Sequence, residues 1–213
     1  MNTDVVFCVD VTASMDLLID DIKRRILDFA QGYLRYLTKD EAHNVRIRLV
    51  AFRAYGEDEA PMTETPFYDV SSEWDGLQSA VASLRCDGGV SETSGLEAFA
   101  LAMQSPFVCI GERRTAIVLF TDAESYPVRK GSDAFGYPEG MPGELAEFAT
   151  WWEGGAKRPE RIGFTPEYAR LVLFSPDCYP WSSLEALKRC KHVLMTSESG
   201  VPDFEEVYAF IAA

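Results

Sequence analysis

The stretch FCVDVTASM, residues 7–15, joins an apolar run to three oxygen-bearing side chains. Residues 4–9 (DVVFCV) are almost continuously apolar, which is typical of a strand buried on both faces of a parallel sheet. Asp10, Thr12 and Ser14 follow at alternate positions, where that strand ends. Because open α/β sheets bind ligands beyond the carboxyl ends of their strands, the stretch predicts both a fold class and the place of a binding site.

Three later segments repeat an apolar run followed by hydroxyl and carboxylate side chains: RTAIVLFTDA (114–123), ARLVLFSPD (169–177) and HVLMTSE (192–198). NVRIRLVAF (44–52) alternates like a half-buried strand, and PFYDV (66–70) predicts only a short or edge strand because it begins with proline. Apolar residues at helical spacing predict helices over 15–37, 72–84, 95–104, 143–153, 181–190 and 202–211.

Strands that alternate with amphipathic helices imply right-handed crossovers. We therefore predict an α/β fold: a doubly wound, Rossmann-like, mostly parallel six-stranded sheet with helices on both faces and one short antiparallel edge strand. The length of 213 residues suits one domain. We expect a single domain over 1–213, with a long loop insertion at about 125–142 that is rich in proline and glycine. The acidic segment 58–66 is expected to be an exposed, solvated loop.

Composition and charge argue against several classes of partner. Twenty basic against 34 acidic side chains give a net charge of −14, which argues against a nucleic acid or an anionic membrane as the partner. No segment approaches the roughly 18 consecutive apolar residues of a membrane-spanning helix. The five cysteines have no CxxC spacing, and the N-terminal segment lacks the basic residues of a signal peptide. These features predict a cytoplasmic protein with reduced thiols.

Two carboxylates are predicted to meet at one edge of the sheet. Asp10 and Asp122 each follow an apolar strand, and the loop CDGGVSETS (86–94) is expected near them because it precedes a helix packed on the same sheet. With Thr12, Ser14 and a hydroxyl of that loop, the donors would all be oxygen atoms. Hard divalent cations such as Mg²⁺ prefer such a set, so the sequence predicts a magnesium site.

Neighbouring residues are expected to hold these donors in place. Gly88 and Gly89 would let the loop turn sharply toward the metal, because glycine tolerates a positive φ. Thr121 is expected to orient the carboxylate of Asp122, which follows it directly. An alternative remains open, since Ser and Thr are common N-cap residues and the two hydroxyls of the opening stretch could cap the first helix instead.

Three motifs resemble von Willebrand factor A (vWA) domains and occur in the order of that family. DVTAS (10–14) resembles the Asp-x-Ser-x-Ser motif, with Thr in place of the first Ser. GGVSETSGLEAFALAM (88–103) resembles the second metal-site loop with its helix, and IVLFTDA (117–123) resembles the strand that ends in the last metal-site Asp. The resemblance implies a vWA fold with a metal-ion-dependent adhesion site that holds Mg²⁺, with Mn²⁺ or Ca²⁺ as alternatives.

The resemblance also implies a ligand set and a kind of partner. The ion would be bound directly or through water by Asp10, Thr12, Ser14 and Asp122. A second-loop hydroxyl would join them, either Ser91 or Thr93, and Ser91 is preferred because its distance to the following helix fits better. A protein partner would supply a Glu or Asp that completes the coordination.

The motifs are most similar to bacterial TerY-like vWA proteins, which implies a kinase, phosphatase or ATPase partner in a stress, defence or signalling system. The predicted function is a Mg²⁺-dependent protein-binding module without catalytic residues. An enzyme is the alternative, because a strand-end Asp followed by hydroxyls also resembles the haloacid dehalogenase-like phosphotransferases, with Asp10 as nucleophile. Against it, Thr12 stands where those enzymes usually have a second Asp for proton transfer.

Overall fold

A computed structural model describes residues 2–33, 44–89, 91–108 and 113–213 of the chain. The strands in these ranges are β1 (Asn2–Asp10), β2 (Val45–Phe52), β3 (Met62–Glu64), β4 (Tyr68–Asp69), β5 (Glu92–Thr93), β6 (Arg113–Phe120), β7 (Glu124–Ser125), β8 (Ala169–Ser175) and β9 (Cys190–Leu194). The α-helices are α1 (Ile19–Tyr33), α2 (Trp74–Ser83), α3 (Gly95–Met103), α4 (Leu145–Glu153), α5 (Trp181–Leu184) and α6 (Glu205–Ala212). Short 3₁₀ helices cover Ala13–Leu17 and Pro166–Tyr168.

The main sheet has the strand order β3-β2-β1-β6-β8-β9, and β4 also pairs with β2. Strands β2, β1, β6, β8 and β9 are parallel, whereas β3 and β4 are antiparallel to β2. The chain winds outward from β1 in both directions, so the predicted doubly wound, Rossmann-like α/β fold of the vWA type is confirmed. The two-residue strands β5 and β7 form a separate parallel pair.

The antiparallel edge of the sheet differs from its prediction, because two short antiparallel strands stand where one was predicted and the sheet has seven strands rather than six. The first of the two, Met62–Glu64, lies inside the segment 58–66 that was predicted as an exposed loop. That prediction was wrong because a short edge strand needs only backbone pairing on one side and no apolar pattern.

The buried strand β1 explains the apolar run of the opening stretch. Its alternate side chains enter two separate cores: Val5 and Phe7 pack with α1, α2 and α6, while Val6 and Cys8 pack with α3, α4 and α5. All four side chains are fully buried. Because helices cover both faces of the strand, neither set of side chains faces solvent, and the sequence does not alternate.

Two helices differ from their predicted bounds by more than a few residues. The helix predicted over 15–37 begins as the 3₁₀ helix Ala13–Leu17 before α1 starts, and its predicted end at 34–37 lies outside the described residues. The segment 181–190 is α-helical only over Trp181–Leu184. The chain turns at Arg189, with a φ of 57°, and enters β9 directly afterwards. No helix within the described ranges has the length and apolarity that a membrane crossing requires.

Candidate metal centre

The Asp10 carboxylate ends β1 and is fully buried. Its Oδ1 accepts hydrogen bonds from the backbone N–H and the hydroxyl of Thr12, at 2.9 and 2.7 Å, and its Oδ2 accepts one from the hydroxyl of Thr121, at 2.6 Å. Thr121 follows β6, the parallel neighbour of β1. The carboxylate is therefore held in one orientation from two adjacent strand ends.

The hydroxyls of Thr12 and Ser14 connect Asp10 to Asp122. Ser14 donates a hydrogen bond of 2.8 Å to Oδ1 of Asp122, and its oxygen lies 3.2 Å from the hydroxyl oxygen of Thr12. A hydroxyl has one proton to donate. When Thr12 donates to Asp10 and Ser14 to Asp122, no proton remains for the contact between the two hydroxyls. Their lone pairs are then available to an electrophile.

The capping alternative is wrong for these two hydroxyls. Thr12 occupies the N-cap position of the helix Ala13–Leu17, but its side chain makes no capping hydrogen bond. Its hydroxyl donates to Asp10 instead, and the hydroxyl of Ser14 donates to Asp122. Both side chains are therefore used at the strand ends rather than at the helix terminus.

The glycine pair of the second loop lies against the first loop. The backbone N–H of Ala13 donates to the carbonyl of Gly88 at 3.1 Å. Gly88 and Gly89 have φ values of 58° and 85°, so the predicted left-handed turn is confirmed. A Cβ on Gly89 would lie 2.5 Å from Cγ2 of Thr12. Glycine is thus required both for the turn and for the close approach.

Asp58 fixes this glycine turn, and the sequence did not predict this role of Asp58. Its Oδ1 accepts a hydrogen bond from the N–H of Gly89 and its Oδ2 accepts one from the N–H of Ala54, both at 3.1 Å. The acidic segment 58–66 was expected to be solvated throughout. The contact joins positions 31 residues apart, so no local pattern could indicate it.

The structure places the two second-loop candidates differently. Ser91 is exposed and lines a cavity of about 760 Å³ together with Ser14 and Asp122. Thr93 is fully buried, does not line that cavity, and donates its hydroxyl to the carbonyl of Glu124 at 3.4 Å. Asp10, Thr12, Ser14, Asp122 and Ser91 thus lie around one edge of the sheet, whereas the Thr93 side chain is engaged elsewhere.

Two further residues shape the end of β6. The prediction that Thr121 orients Asp122 was wrong, because its hydroxyl reaches across to Asp10 on the neighbouring strand. The indole N–H of Trp181 donates to the carbonyl of Ala123 at 2.9 Å, and the ring is fully buried. Trp181 thereby fixes the turn that contains Asp122. The contact joins positions 58 residues apart, and sequence reasoning missed it for that reason.

The electrostatics of the site favour a positive charge. Burial raises the pKa of the Asp10 carboxyl to about 6; hydrogen bonds from Thr121 and Thr12 lower it, and the nearby Asp122 carboxylate adds to the rise. The ionised form of Asp10 is therefore destabilised by its surroundings. A bound cation reverses this effect, because it stabilises the charged carboxylate.

The donor set fits a small divalent cation. Mg²⁺ binds oxygens at about 2.0–2.1 Å, so adjacent ligand oxygens of its octahedron lie about 2.9 Å apart. The Thr12–Ser14 and Ser14–Asp122 oxygen distances of 3.2 and 2.8 Å are close to that value. Within the described ranges no group of three or more His, Cys, Asp or Glu side chains could hold a metal. A cation at this edge would therefore depend on hydroxyl ligands as well as on the two carboxylates.

Comparison with known proteins gives a likeness in structure. No family model matches the chain, and no curated protein matches it. The PilB minor pilin from Streptococcus sanguinis matches over 100% of this chain and 60% of its own, with 13% sequence identity and a TM-score of 0.55. At that identity the likeness concerns the fold alone.

Two other solved structures are similar over part of the chain. The conserved hypothetical protein BatB from Bacteroides thetaiotaomicron matches 81% of this chain and 66% of its own, with 16% identity and a TM-score of 0.47. The pilus adhesin SpaC from Lactobacillus rhamnosus GG matches 56% of this chain and 14% of its own, with 16% identity and a TM-score of 0.44. The chain spans less than two thirds of each of these three proteins. The fold assignment does not depend on the two lower scores.

Proposed function

We propose that the chain is a Mg²⁺-dependent protein-binding module with a metal-ion-dependent adhesion site. The observation that supports this most directly is the pair of hydroxyl oxygens of Thr12 and Ser14, 3.2 Å apart, whose protons can both be donated to carboxylates. This arrangement leaves two neutral oxygen donors in the chain of contacts between Asp10 and Asp122. Mn²⁺ or Ca²⁺ are the alternative ions, since both also bind oxygen ligands.

The residues of the site have two proposed roles: some provide negative charge, and others provide uncharged ligand oxygens. Asp10 and Asp122 provide the negative charge, while Thr12 and Ser14 provide ligand oxygens without adding charge. When bound, the ion supplies an electrophilic position that can accept a further carboxylate oxygen. Ser91 is the second-loop hydroxyl proposed to join it, because Ser91 lines the cavity and the Thr93 hydroxyl is bonded to the Glu124 carbonyl.

The proposed ligand of the module is a Glu or Asp side chain of a protein partner. The sequence resemblance to TerY-like proteins favours a kinase, phosphatase or ATPase of a bacterial stress, defence or signalling system as that partner. A cytoplasmic location remains a prediction, as does the exclusion of nucleic acids and membranes, which is based on the net charge of −14.

The phosphotransferase alternative has less support from the geometry. A nucleophilic Asp10 would have to contact the phosphorus atom directly, but the side chain is fully buried and both of its oxygens accept hydrogen bonds. In a metal site the same carboxylate can act through water and through its charge. Thr12, at the position of the expected second acid, donates its proton to Asp10 and is not itself an acid of suitable pKa. No contact among the described residues favours phosphoryl transfer over metal-dependent binding.

Isothermal titration calorimetry with Mg²⁺ tests the metal site. The wild-type protein is expected to bind one ion, and Ser14→Ala to weaken binding by at least about tenfold because it removes a ligand oxygen and the partner of Asp122. Ser72→Ala is the matched control, since Ser72 is exposed and precedes α2, away from the site. Absence of any heat of binding to the wild type at millimolar Mg²⁺ would refute the proposal.

A second experiment tests the protein-binding part of the proposal: a protein partner should be captured by the chain in Mg²⁺ but not in EDTA.

A further inference from the structure

The cavity beside the candidate metal centre has a wholly acidic charged lining. It is lined by Ser14, Ser91, Glu92, Asp122, Ala123, Glu124, Pro176 and Cys178. Three of these residues are acidic and none is basic. Glu92 and Glu124 are register partners in the parallel pair β5–β7, so their side chains project from the same face. Like charges placed side by side in this way repel each other.

No ion pair described in the structure neutralises Glu92 or Glu124. Burial raises the pKa of the nearby Cys178 thiol, and the carboxylates of Glu124 and Asp177 raise it further. One cation at the candidate centre would be shared by Asp10 and Asp122 and would leave the two glutamates unpaired. The cavity therefore keeps negative charge beside the position where a partner's carboxylate would enter.

Two exposed apolar side chains lie close in sequence to residues that line the same cavity. Leu17 is 82% exposed and lies three residues after Ser14, in the same 3₁₀ helix. Tyr179 is 53% exposed and directly follows Cys178. Exposed leucine and tyrosine side chains supply apolar contact area where they belong to a protein-interaction surface. We call the cavity with Leu17 and Tyr179 the docking face.

Resting on the proposed function, we propose that the docking face binds a protein segment in which one Glu or Asp is flanked by Lys or Arg. The single acid would complete the metal coordination, and the flanking basic side chains would pair with Glu92 and Glu124. An acid without basic neighbours would meet two unpaired carboxylates, and like-charge contacts at an interface are strongly unfavourable. Apolar side chains of the same segment would pack on Leu17 and Tyr179.

A selection from a random peptide library on phage tests the composition of this segment. The full chain is immobilised in Mg²⁺, and bound phage are eluted with EDTA. The expected result is enrichment of peptides that contain one Glu or Asp beside Lys or Arg. Enrichment of carboxylate peptides without basic neighbours would overturn this inference and leave the proposed function standing. If the protein binds Mg²⁺ and no phage are released by EDTA, the docking face is refuted; if it binds no Mg²⁺, the proposed function itself fails.

Defined peptides then test the two glutamates. Gly-Gly-Lys-Glu-Arg-Gly-Gly is expected to bind the wild type in Mg²⁺ more tightly than Gly-Gly-Ser-Glu-Ser-Gly-Gly. Glu92→Gln and Glu124→Gln should each lower the affinity for the basic peptide by about two- to fivefold, the range of an exposed ion pair. Neither substitution should lower the affinity for the serine peptide. Glu160→Gln is the matched control, because Glu160 is exposed and does not line the cavity. If the variants bound the basic peptide as tightly as the wild type does, the proposal would be contradicted.

Two additional readouts separate a docking role from other roles of the glutamates. Because Glu92 and Glu124 repel each other, Glu124→Gln is expected to unfold at the same or higher urea concentration than the wild type while it binds the basic peptide more weakly. A purely structural role would instead lower stability. Calorimetry should show one Mg²⁺ per chain in the wild type and in both variants. A stoichiometry of two that falls to one in the variants would assign the glutamates to a second cation and overturn the proposal.

Discussion

The hydroxyl of Thr121 donates a 2.6 Å hydrogen bond to Oδ2 of Asp10, and so joins the carboxyl ends of two adjacent parallel strands. Asp10 is the more deeply buried of the two carboxylates at the candidate metal centre, and its other oxygen is bound by Thr12. Thr121 therefore supplies the only contact described for Oδ2. Its loss would leave a buried charged oxygen without a partner.

Thr121→Val tests this relationship, because valine has nearly the same shape without the hydroxyl. We expect the free energy of unfolding to fall by about 1–3 kcal/mol, the usual effect of leaving a buried acceptor unsatisfied. Urea unfolding measures it. Thr121→Ser keeps the hydroxyl and is expected to recover most of the loss. If the valine and serine variants were equally stable, the contact would contribute little.

The sheet has a second buried carboxylate at the opposite end of β1. Asp4 is fully buried and accepts hydrogen bonds from Nε and Nη2 of Arg46, at 2.8 and 2.6 Å, and from Nη1 of Arg113, at 3.0 Å. These residues lie on three adjacent strands, β2, β1 and β6. The carboxylate thus connects the strands at their amino ends, as Asp10 does at the carboxyl ends.

Asp4→Ala is expected to lower the free energy of unfolding by about 3–5 kcal/mol, because two guanidinium groups lose a buried counter-charge. Thermal unfolding by circular dichroism measures the change. Since Asp4 lies at the far end of β1 from Asp10, Mg²⁺ affinity measured well below the unfolding temperature should stay at the wild-type value. A large loss of Mg²⁺ affinity would instead mean that the two ends of the strand are coupled.

Much of the fold and part of the candidate site could be predicted from local sequence patterns. An apolar run identifies a buried strand, and the polar residues that follow it, such as Asp10 or Asp122, must then lie at the carboxyl ends of the strands. The contacts of Asp58, Thr121 and Trp181 could not be predicted. Each depends on which distant segment passes beside it, and the hydrogen-bonding side chain has no local signature.

The same limit applies to the second loop and to the edge of the sheet. In sequence, only the distance to the following helix favours Ser91 over Thr93. The pairing of β5 with β7 directs the Thr93 hydroxyl to the carbonyl of Glu124. Strand β3 is only the three residues MTE, too short to show an apolar pattern, so its pairing with β2 follows from the backbone.

Gly95, the first residue of α3, lies against the ring of Trp181. A Cβ at this position would lie 2.7 Å from Cη2 and 2.8 Å from Cζ2 of the indole. The ring is fully buried and cannot move freely, and its N–H fixes the turn after β6 through the carbonyl of Ala123. An added methyl group must therefore displace either the helix or the indole.

Gly95→Ala is expected to destabilise the protein by about 1–3 kcal/mol, as overpacking of a core does, and to weaken Mg²⁺ binding because the turn with Asp122 shifts. Urea unfolding and calorimetry measure the two effects. In a Trp181→Leu background the same substitution should have a much smaller effect, since the smaller side chain leaves room. A gain of stability, as expected for glycine to alanine in an unobstructed helix, would contradict the contact.

Glu97 in α3 contacts the segment 126–144. The structure describes this whole segment, and it contains neither helix nor strand. The side chain is 1% exposed, and its Oε1 accepts hydrogen bonds from the N–H of Arg129 at 3.0 Å and from the hydroxyl of Tyr137 at 2.8 Å. Its Oε2 is buried and has no hydrogen-bond partner among the described residues. One carboxyl oxygen of Glu97 thus binds the loop through two hydrogen bonds, and the other oxygen has none among the described residues.

Burial raises the pKa of Glu97, against the hydrogen bonds from Tyr137 and Arg129 that lower it. A raised pKa in the folded state means that the neutral form stabilises the fold. This contribution is complete below the pKa of the unfolded chain, about 4.3 for glutamate, and is lost as the pH rises through the higher folded value. Glu97→Gln, which stays neutral and keeps an acceptor, should therefore gain stability relative to the wild type as the pH is raised from acid to neutral.

Urea unfolding of the wild type and Glu97→Gln across this pH range measures the difference in their stability, and a difference that does not change with pH would contradict a raised pKa.

Trypsin cleavage after Arg129 and Lys130 reports on the loop itself. Glu97→Ala removes the acceptor and is expected to speed cleavage, whereas Glu97→Gln should be cleaved at close to the wild-type rate. Tyr137→Phe, which loses one of the two donors, should lie between them. Equal cleavage of all four proteins would show that Glu97 does not fasten the loop.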